Sequence, residues 1–228
     1  MTTIENYEQA YEIVGQRISQ GTDIQKLKGV MMLIGNDKAQ KVLDIGCAEG
    51  VYSVALGKCG HEVTGIDVAD SFLIQARQLA AKEGVTDLTH FLKCNIENEV
   101  VGNSYDWILF LDVIEHLESP IRALRNIRRS MVDSSKLIIT TPNALSWNRM
   151  MFHFFDKGGI PDFTNLKDLG ALHLQEYSLK TLAKLLSFAG FKMTRLLHRN
   201  RYSANLFVIC QMCEPVRIDD WVEGMSPT

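Results

Sequence analysis

Between residues 41 and 141, short β-rich apolar runs alternate with stretches of helical spacing, and this alternation constrains the fold more than any other feature. "KVLDI" (41–45), "HEVTGID" (61–67), "THFLKCN" (89–95), "WILFL" (107–111) and "KLIITT" (136–141) read as strands. Residues 50–58, 71–83 and 117–131 read as the helices between them. Strands linked through helices run parallel, and a parallel sheet has to be covered on both faces. A further helix at 178–189 is stopped by "AGF", and two apolar strands follow near 191–198 and 205–212. The short "RNRYSA" between these two implies a hairpin, so one strand should be antiparallel. The expected architecture is α/β: a doubly wound seven-stranded sheet, mostly parallel, closed by a C-terminal antiparallel hairpin.

Two segments interrupt the alternation. Residues 4–34 have helical spacing broken by "SQGTD" (19–23), which predicts two N-terminal helices forming a cap over 1–36, the second capped by Thr22 or Asp23. Residues 143–177 are too long for a plain connector, and "SWNRMMFHFFDKGGIPDF" is rich in methionine and aromatic rings. This insert is expected to act as a lid within a core of 37–212, and 213–228 is a tail without an assigned role. The 228 residues suit one domain, with 46% apolar and 22% charged residues, as in ordinary globular chains. A net charge of −3 gives no global attraction for nucleic acid. No apolar run reaches the length of a membrane span, and "MTTIENYEQA" is unlike a signal peptide. The five cysteines, odd in number and mostly in apolar runs, read as reduced thiols of a cytoplasmic protein. "CQMC" (210–213) lacks the second pair that a zinc or redox site would need.

The chemistry is concentrated in "VLDIGCAEGVYS" (42–53). In an open α/β sheet ligands bind beyond the carboxyl ends of the strands. Gly46 and Gly50 permit a sharp turn and close approach of backbone to a ligand, and the helix that follows offers free N–H groups. Asp67 ends the second strand about twenty residues later, where an acid accepts hydrogen bonds from ribose hydroxyls. Together these features indicate an adenosine-containing cofactor. Asp44 narrows the choice. A carboxylate facing the pyrophosphate of a dinucleotide would repel it, whereas S-adenosylmethionine has no phosphate and carries a sulfonium, an ammonium and a carboxylate, so that an acid can favour its cationic end.

At these residues the chain resembles the class I S-adenosylmethionine-dependent methyltransferases, which have a Rossmann-like sheet. "VLDIGCAEG" stands where that family has its first motif, and "VTGIDVAD" supplies Asp67 with Val68 beside it. "ITTPN" (139–143) and "HLQEYSLKTLAKLLSFAGF" (173–191) are similar to the branch of ubiquinone-pathway O-methyltransferases. The resemblance implies a cofactor site formed by Asp44, Gly46, Cys47, Gly50, Asp67 and Val68, with Asn95 and Ile96 of "KCNIE" at the adenine. It also puts the backbone of Phe110 and Leu111 near the methionine moiety. Each residue has a plainer role as well. Asp67 suits a helix N-cap, Asn95 a turn, and Cys47 a small packing position, since no base neighbours it in sequence.

Methyl transfer to a hydroxyl needs alignment and removal of a proton. His116 and His173 are the candidate catalytic residues, as metal-free bases or acceptor contacts. Asp112, Glu115 and His116 stand at i, i+3 and i+4 and would share one helical face. With His173 they form an alternative site for magnesium or manganese, similar to that of small-RNA 2′-O-methyltransferases. Asp112 stands where that pattern has Glu, which shortens one ligand. The expected acceptor is a small molecule, apolar or aromatic in part, covered by Tyr7, Tyr11 and the lid residues Trp147, Met150, Met151, Phe152, Phe154, Phe155 and Phe163. The rival readings are N-methylation, RNA methylation and a non-catalytic scaffold. Two basic clusters, "IRALRNIRR" and "RLLHRNR", bear on the RNA reading, and the first reads as a solvated helix face.

Overall fold

In the structure, a computed structural model, residues 21–35, 38–102, 104–146, 174–197 and 205–216 are described. The first described helix, α1 (Gly21–Ile34), is followed by β1 (Lys41–Ile45), α2 (Val51–Lys58), β2 (Glu62–Asp67), α3 (Asp70–Glu83), β3 (Thr89–Lys93) and β4 (Tyr105–Leu111). A single 3-10 turn, Ile114–His116, leads to α4 (Pro120–Arg129), β5 (Met131–Pro142), α5 (Leu179–Phe188), β6 (Phe191–Leu196) and β7 (Asn205–Met212).

The seven strands form one sheet in the order β3-β2-β1-β4-β5-β7-β6. β7 is antiparallel to both β5 and β6, while every other pairing is parallel. The architecture expected from the strand–helix alternation and the hairpin is therefore borne out. The chain order reverses between β1 and β4, so ligands should meet the sheet at the carboxyl ends of those two strands.

Alternate side chains of each strand feed two cores. Val42, Leu109, Ile138 and Phe207 face α1, α2 and α3 on one side. Leu43, Ile108, Leu137 and Val208 face α4 and α5 on the other. β1 is buried at all positions but its first, as a central strand covered on both faces must be. Each such aliphatic side chain contributes about 1.5–3 kcal/mol by leaving water.

Three of the boundaries that differ from the sequence reading have a physical reason or a consequence for the fold. Among the described residues α1 already runs from Gly21, so Thr22 and Asp23 lie within it. The helix expected over 117–131 starts only at Pro120, whose missing N–H and fixed φ suit a first helical position. β5 begins at Met131, five residues before the expected "KLIITT". A register irregularity between Tyr105 and Trp107 accommodates the polar stretch, and buried Ser135 donates to the Tyr105 carbonyl at 2.5 Å.

The base of the insert is tied. Asn143 and Tyr177 form an isolated parallel bridge, and the Ala144 N–H donates to the Tyr177 carbonyl at 2.9 Å. The chain thus leaves β5 and returns to it at one point. The expected lid residues 147–163, His173, Tyr7 and Tyr11 lie outside the described residues.

Candidate active site

Two adjoining cavities open at the carboxyl ends of β1–β4. The larger, of about 720 Å³, is lined by Gly46, Asp67, Val68, Asn95, Ile96 and His116 among others. The smaller, of about 380 Å³, includes Asp44, Cys47, Tyr52 and Leu111. Gly46, Ala48, Phe72 and Asp112 line both, so the two are lobes of one cleft. Of the ten residues expected at the cofactor, Gly50 and Phe110 line neither lobe.

For Gly50 the reason lies in the turn. Gly46 has φ 69° and Gly50 φ 75°, a backbone region open to glycine at little cost. A Cβ at Gly50 would stand 2.7 Å from the Ala76 Cβ and 3.0 Å from the Phe91 ring, so its bareness lets α2 close on α3 and β3. A Cβ at Gly46 would stand 2.4 Å from a Val113 methyl. Both glycines serve close packing within the protein, and Gly46 also forms cleft wall. Gly46→Ala is expected to lower unfolding free energy by roughly 2–4 kcal/mol, from left-handed strain plus overpacking. Urea denaturation checks this; a loss near zero would show that Val113 yields freely.

Asp67 is placed by backbone. Its carboxylate accepts from the Ala48 N–H at 3.0 Å and the Ala69 N–H at 2.9 Å, linking the β1 loop to the start of α3. The helix cap is Ala69, not Asp67. Asn95 does close a turn, its Oδ1 accepting from the Glu97 N–H at 2.9 Å, and it also lines the cleft. That loop is braced from α4: Asn126 donates to the Ile96 carbonyl at 2.9 Å, and the Ser119 N–H donates to Glu97 Oε1. Cys47 is buried, a Cβ at Gly65 would meet its sulfur at 3.0 Å, and burial beside Asp44 and Asp67 pushes its thiol far above the usual range. That is a packing residue and not a nucleophile.

Asp44 is 4% exposed and accepts from Ser53 Oγ at 2.6 Å. Burial pushes its carboxyl from 3.8 up to about 6, against the opposing effect of the Ser53 hydrogen bond. The folded state therefore holds the proton more tightly than the unfolded one. Its contribution to stability is full below pH 3.8 and is lost as pH rises through about 6. Ionised Asp44 costs on the order of 3 kcal/mol at neutral pH. Asp44→Asn, which keeps an acceptor for Ser53, should gain stability over the wild type between pH 4 and 6 and hold that gain above. Thermal melts of both proteins across pH 3.5–8 decide it; parallel profiles would contradict the account.

Beyond β4 the expected one-face cluster does not form. Asp112 has φ 54°, which breaks any helix at its start, and only Ile114–His116 makes a 3-10 turn. One Asp112 oxygen accepts from Thr140 Oγ1 at 2.8 Å, and the other forms an ion pair with Lys26 of α1. Glu115 is buried at 1% exposure, accepts from Thr141 Oγ1 at 3.0 Å, and its carboxyl is pushed up chiefly by burial. The Glu115 carbonyl in turn accepts from the Gln175 N–H at 3.1 Å, where the insert returns. Among the described residues no three His, Cys, Asp or Glu side chains come together as a metal set. Of the alternative metal set, the described residues Asp112 and Glu115 enter two separate structural pairs and His116 is exposed at the cleft, while His173 lies outside the described residues. His116 lines the larger lobe beside Leu117 and Leu174. Lys26 is the residue missed by the sequence reading; 86 positions separate it from Asp112, and no local pattern links them.

A model of the methyltransferase domain family matches residues 21–196. The chain belongs to the class I S-adenosylmethionine-dependent methyltransferases. Over 106 residues this methyltransferase is 32% identical to the ubiquinone biosynthesis O-methyltransferase of Vibrio campbellii, which takes in 46% of the chain and 44% of that protein. Over 105 residues it is 31% identical to the tRNA U34 carboxymethyltransferase of Vibrio cholerae, 46% of the chain and 32% of the relative. The match therefore spans less than half the length of either curated relative. The fold is also that of magnesium protoporphyrin IX methyltransferase from Synechocystis PCC 6803 with bound SAH, at 19% identity and a TM-score of 0.65 over 82% of both chains. Among the described residues of the methyltransferase no helix is long and apolar enough to cross a membrane.

Proposed function

We propose that this methyltransferase transfers a methyl group from S-adenosylmethionine to a hydroxyl of a small-molecule acceptor. The observation that carries the reading is the cleft's charge arrangement: a buried, destabilising carboxylate, Asp44, beneath one lobe, and the backbone-held carboxylate of Asp67 in the other. A buried ionisable group kept at a cost to stability marks a site where a partner charge is expected. The donor set fits the cofactor. Asp67 accepts from ribose hydroxyls, Asn95 and the Ile96 amide meet the adenine, and Asp44 and Leu111 border the methionine end.

S-adenosylmethionine supplies a methyl already activated by its sulfonium, so the chain's task is alignment and proton removal. His116 faces the larger lobe from a turn anchored by Glu115 and Gln175, and it takes the hydroxyl proton. His173, outside the described residues, is the second candidate base. With both Asp112 oxygens engaged, no divalent ion is assigned a role. The test is a screen of hydroxylated aromatic and apolar acceptors for S-adenosylhomocysteine release, with magnesium and after chelation. Turnover surviving chelation is the expected result. Turnover only on amines, or only with metal, would replace this reading.

A further inference from the structure

Of the four arginines of α4 only Arg122 borders the cofactor cleft, and three of them have an unusual setting. Arg122, Arg125 and Arg129 stand at i, i+3 and i+7, are exposed, and line one groove of about 380 Å³ with Asn98, Asn126 and Glu97. That groove opens into the cleft, because Glu97, Asn98 and Arg122 line both. Among the described residues, none of the three guanidinium groups has a side-chain hydrogen bond, ion pair or ring contact.

Helix chemistry does not account for this arrangement. A cation in the first turn opposes the macrodipole, yet Arg122 is there and the turn has no acid. Like charges three and four residues apart repel, and α4 carries no acid to offset them. Glu97, the one carboxylate in the groove, is turned toward the Ser119 N–H. The chain as a whole is acidic, with net charge −3, so the basic stripe is local.

We propose that the groove binds a phosphoryl group carried by the acceptor, with Arg122 and Arg125 as its forks and Arg129 at the far end. Arginine grips phosphoryl oxygens with paired N–H donors. Along the helix Arg122 and Arg129 are about 10 Å apart, room for a phosphate or diphosphate and little more. The acceptor then shares the larger lobe with the adenosine and lies along the wall from His116 past Leu117 and Glu118 to Arg122, its hydroxyl at the histidine and its anion in the groove. This rests on the methyl-transfer reading and names the substrate class for it.

The test titrates inorganic pyrophosphate into the full chain saturated with S-adenosylhomocysteine, for the wild type and the Arg125→Ala/Arg129→Ala double variant, whose residues line the groove and not the cleft. Submillimolar binding that weakens at least tenfold in the variant, with unchanged S-adenosylhomocysteine affinity and unchanged melting, is the expected result. In the acceptor screen the same variant should raise KM for phosphorylated acceptors and leave kcat in place. Wild type that binds S-adenosylhomocysteine but not pyrophosphate, or a variant that binds both as before, overturns the groove and leaves the methyl-transfer reading standing. A ten-nucleotide single strand binding tenfold more tightly than pyrophosphate overturns it too, in favour of a nucleic-acid acceptor. Wild type that binds neither ligand removes the reading beneath it.

Discussion

Asp67→Ala should abolish measurable binding of S-adenosylmethionine, a loss of about a hundredfold or more in affinity. Two effects add. The variant lacks the charged acceptor proposed for the ribose hydroxyls, and a hydrogen bond to a charged group is worth about 1.5–3 kcal/mol. It also leaves the Ala48 and Ala69 N–H groups without the acceptor that fixes the β1 loop against α3. Asp67→Asn separates these contributions: it retains one acceptor oxygen for one N–H and should recover part of the affinity. Calorimetry on the three proteins gives the comparison. An Asp67→Ala protein that binds within threefold of the wild type would place the ribose elsewhere.

His116→Ala should lower kcat by about a hundredfold to ten-thousandfold, the usual span for a positioned acid or base, with cofactor affinity changed less than threefold. The side chain is exposed at the cleft wall, so its truncation removes little packing. The contrasting substitution is Glu115→Ala. Glu115 is buried and holds Thr141, so its loss should reduce stability as well as turnover. Equal falls in kcat and in cofactor affinity for His116→Ala would mark it as a binding residue.

Much of the fold was legible because its signals are local. The β-rich runs at 41–45 and 62–67 and the acid ending the second show within a few residues of chain. The roles of the glycines were only half legible. A glycine at position 50 announces a turn, but the reason for its bareness is Ala76 and Phe91, which only the folded chain brings near. The cluster at 112–116 misled for a related reason. Spacing of three and four implies one face only on a helix, and the left-handed Asp112 leaves a 3-10 turn in its place. The ion pair of Lys26 with Asp112 and the bracing of the Asn95 loop by Asn126 join distant segments, and neither partner signals the other in sequence. Pro120, by contrast, marked the true start of α4 and was there to be read.

The most direct measurement is a calorimetric titration of the wild-type chain with S-adenosylmethionine and, separately, S-adenosylhomocysteine. One site, micromolar affinity for both, and S-adenosylmethionine affinity that improves as pH rises through about 6, where Asp44 ionises, is the result the structure predicts. Absence of heat with either ligand at millimolar concentration would contradict it.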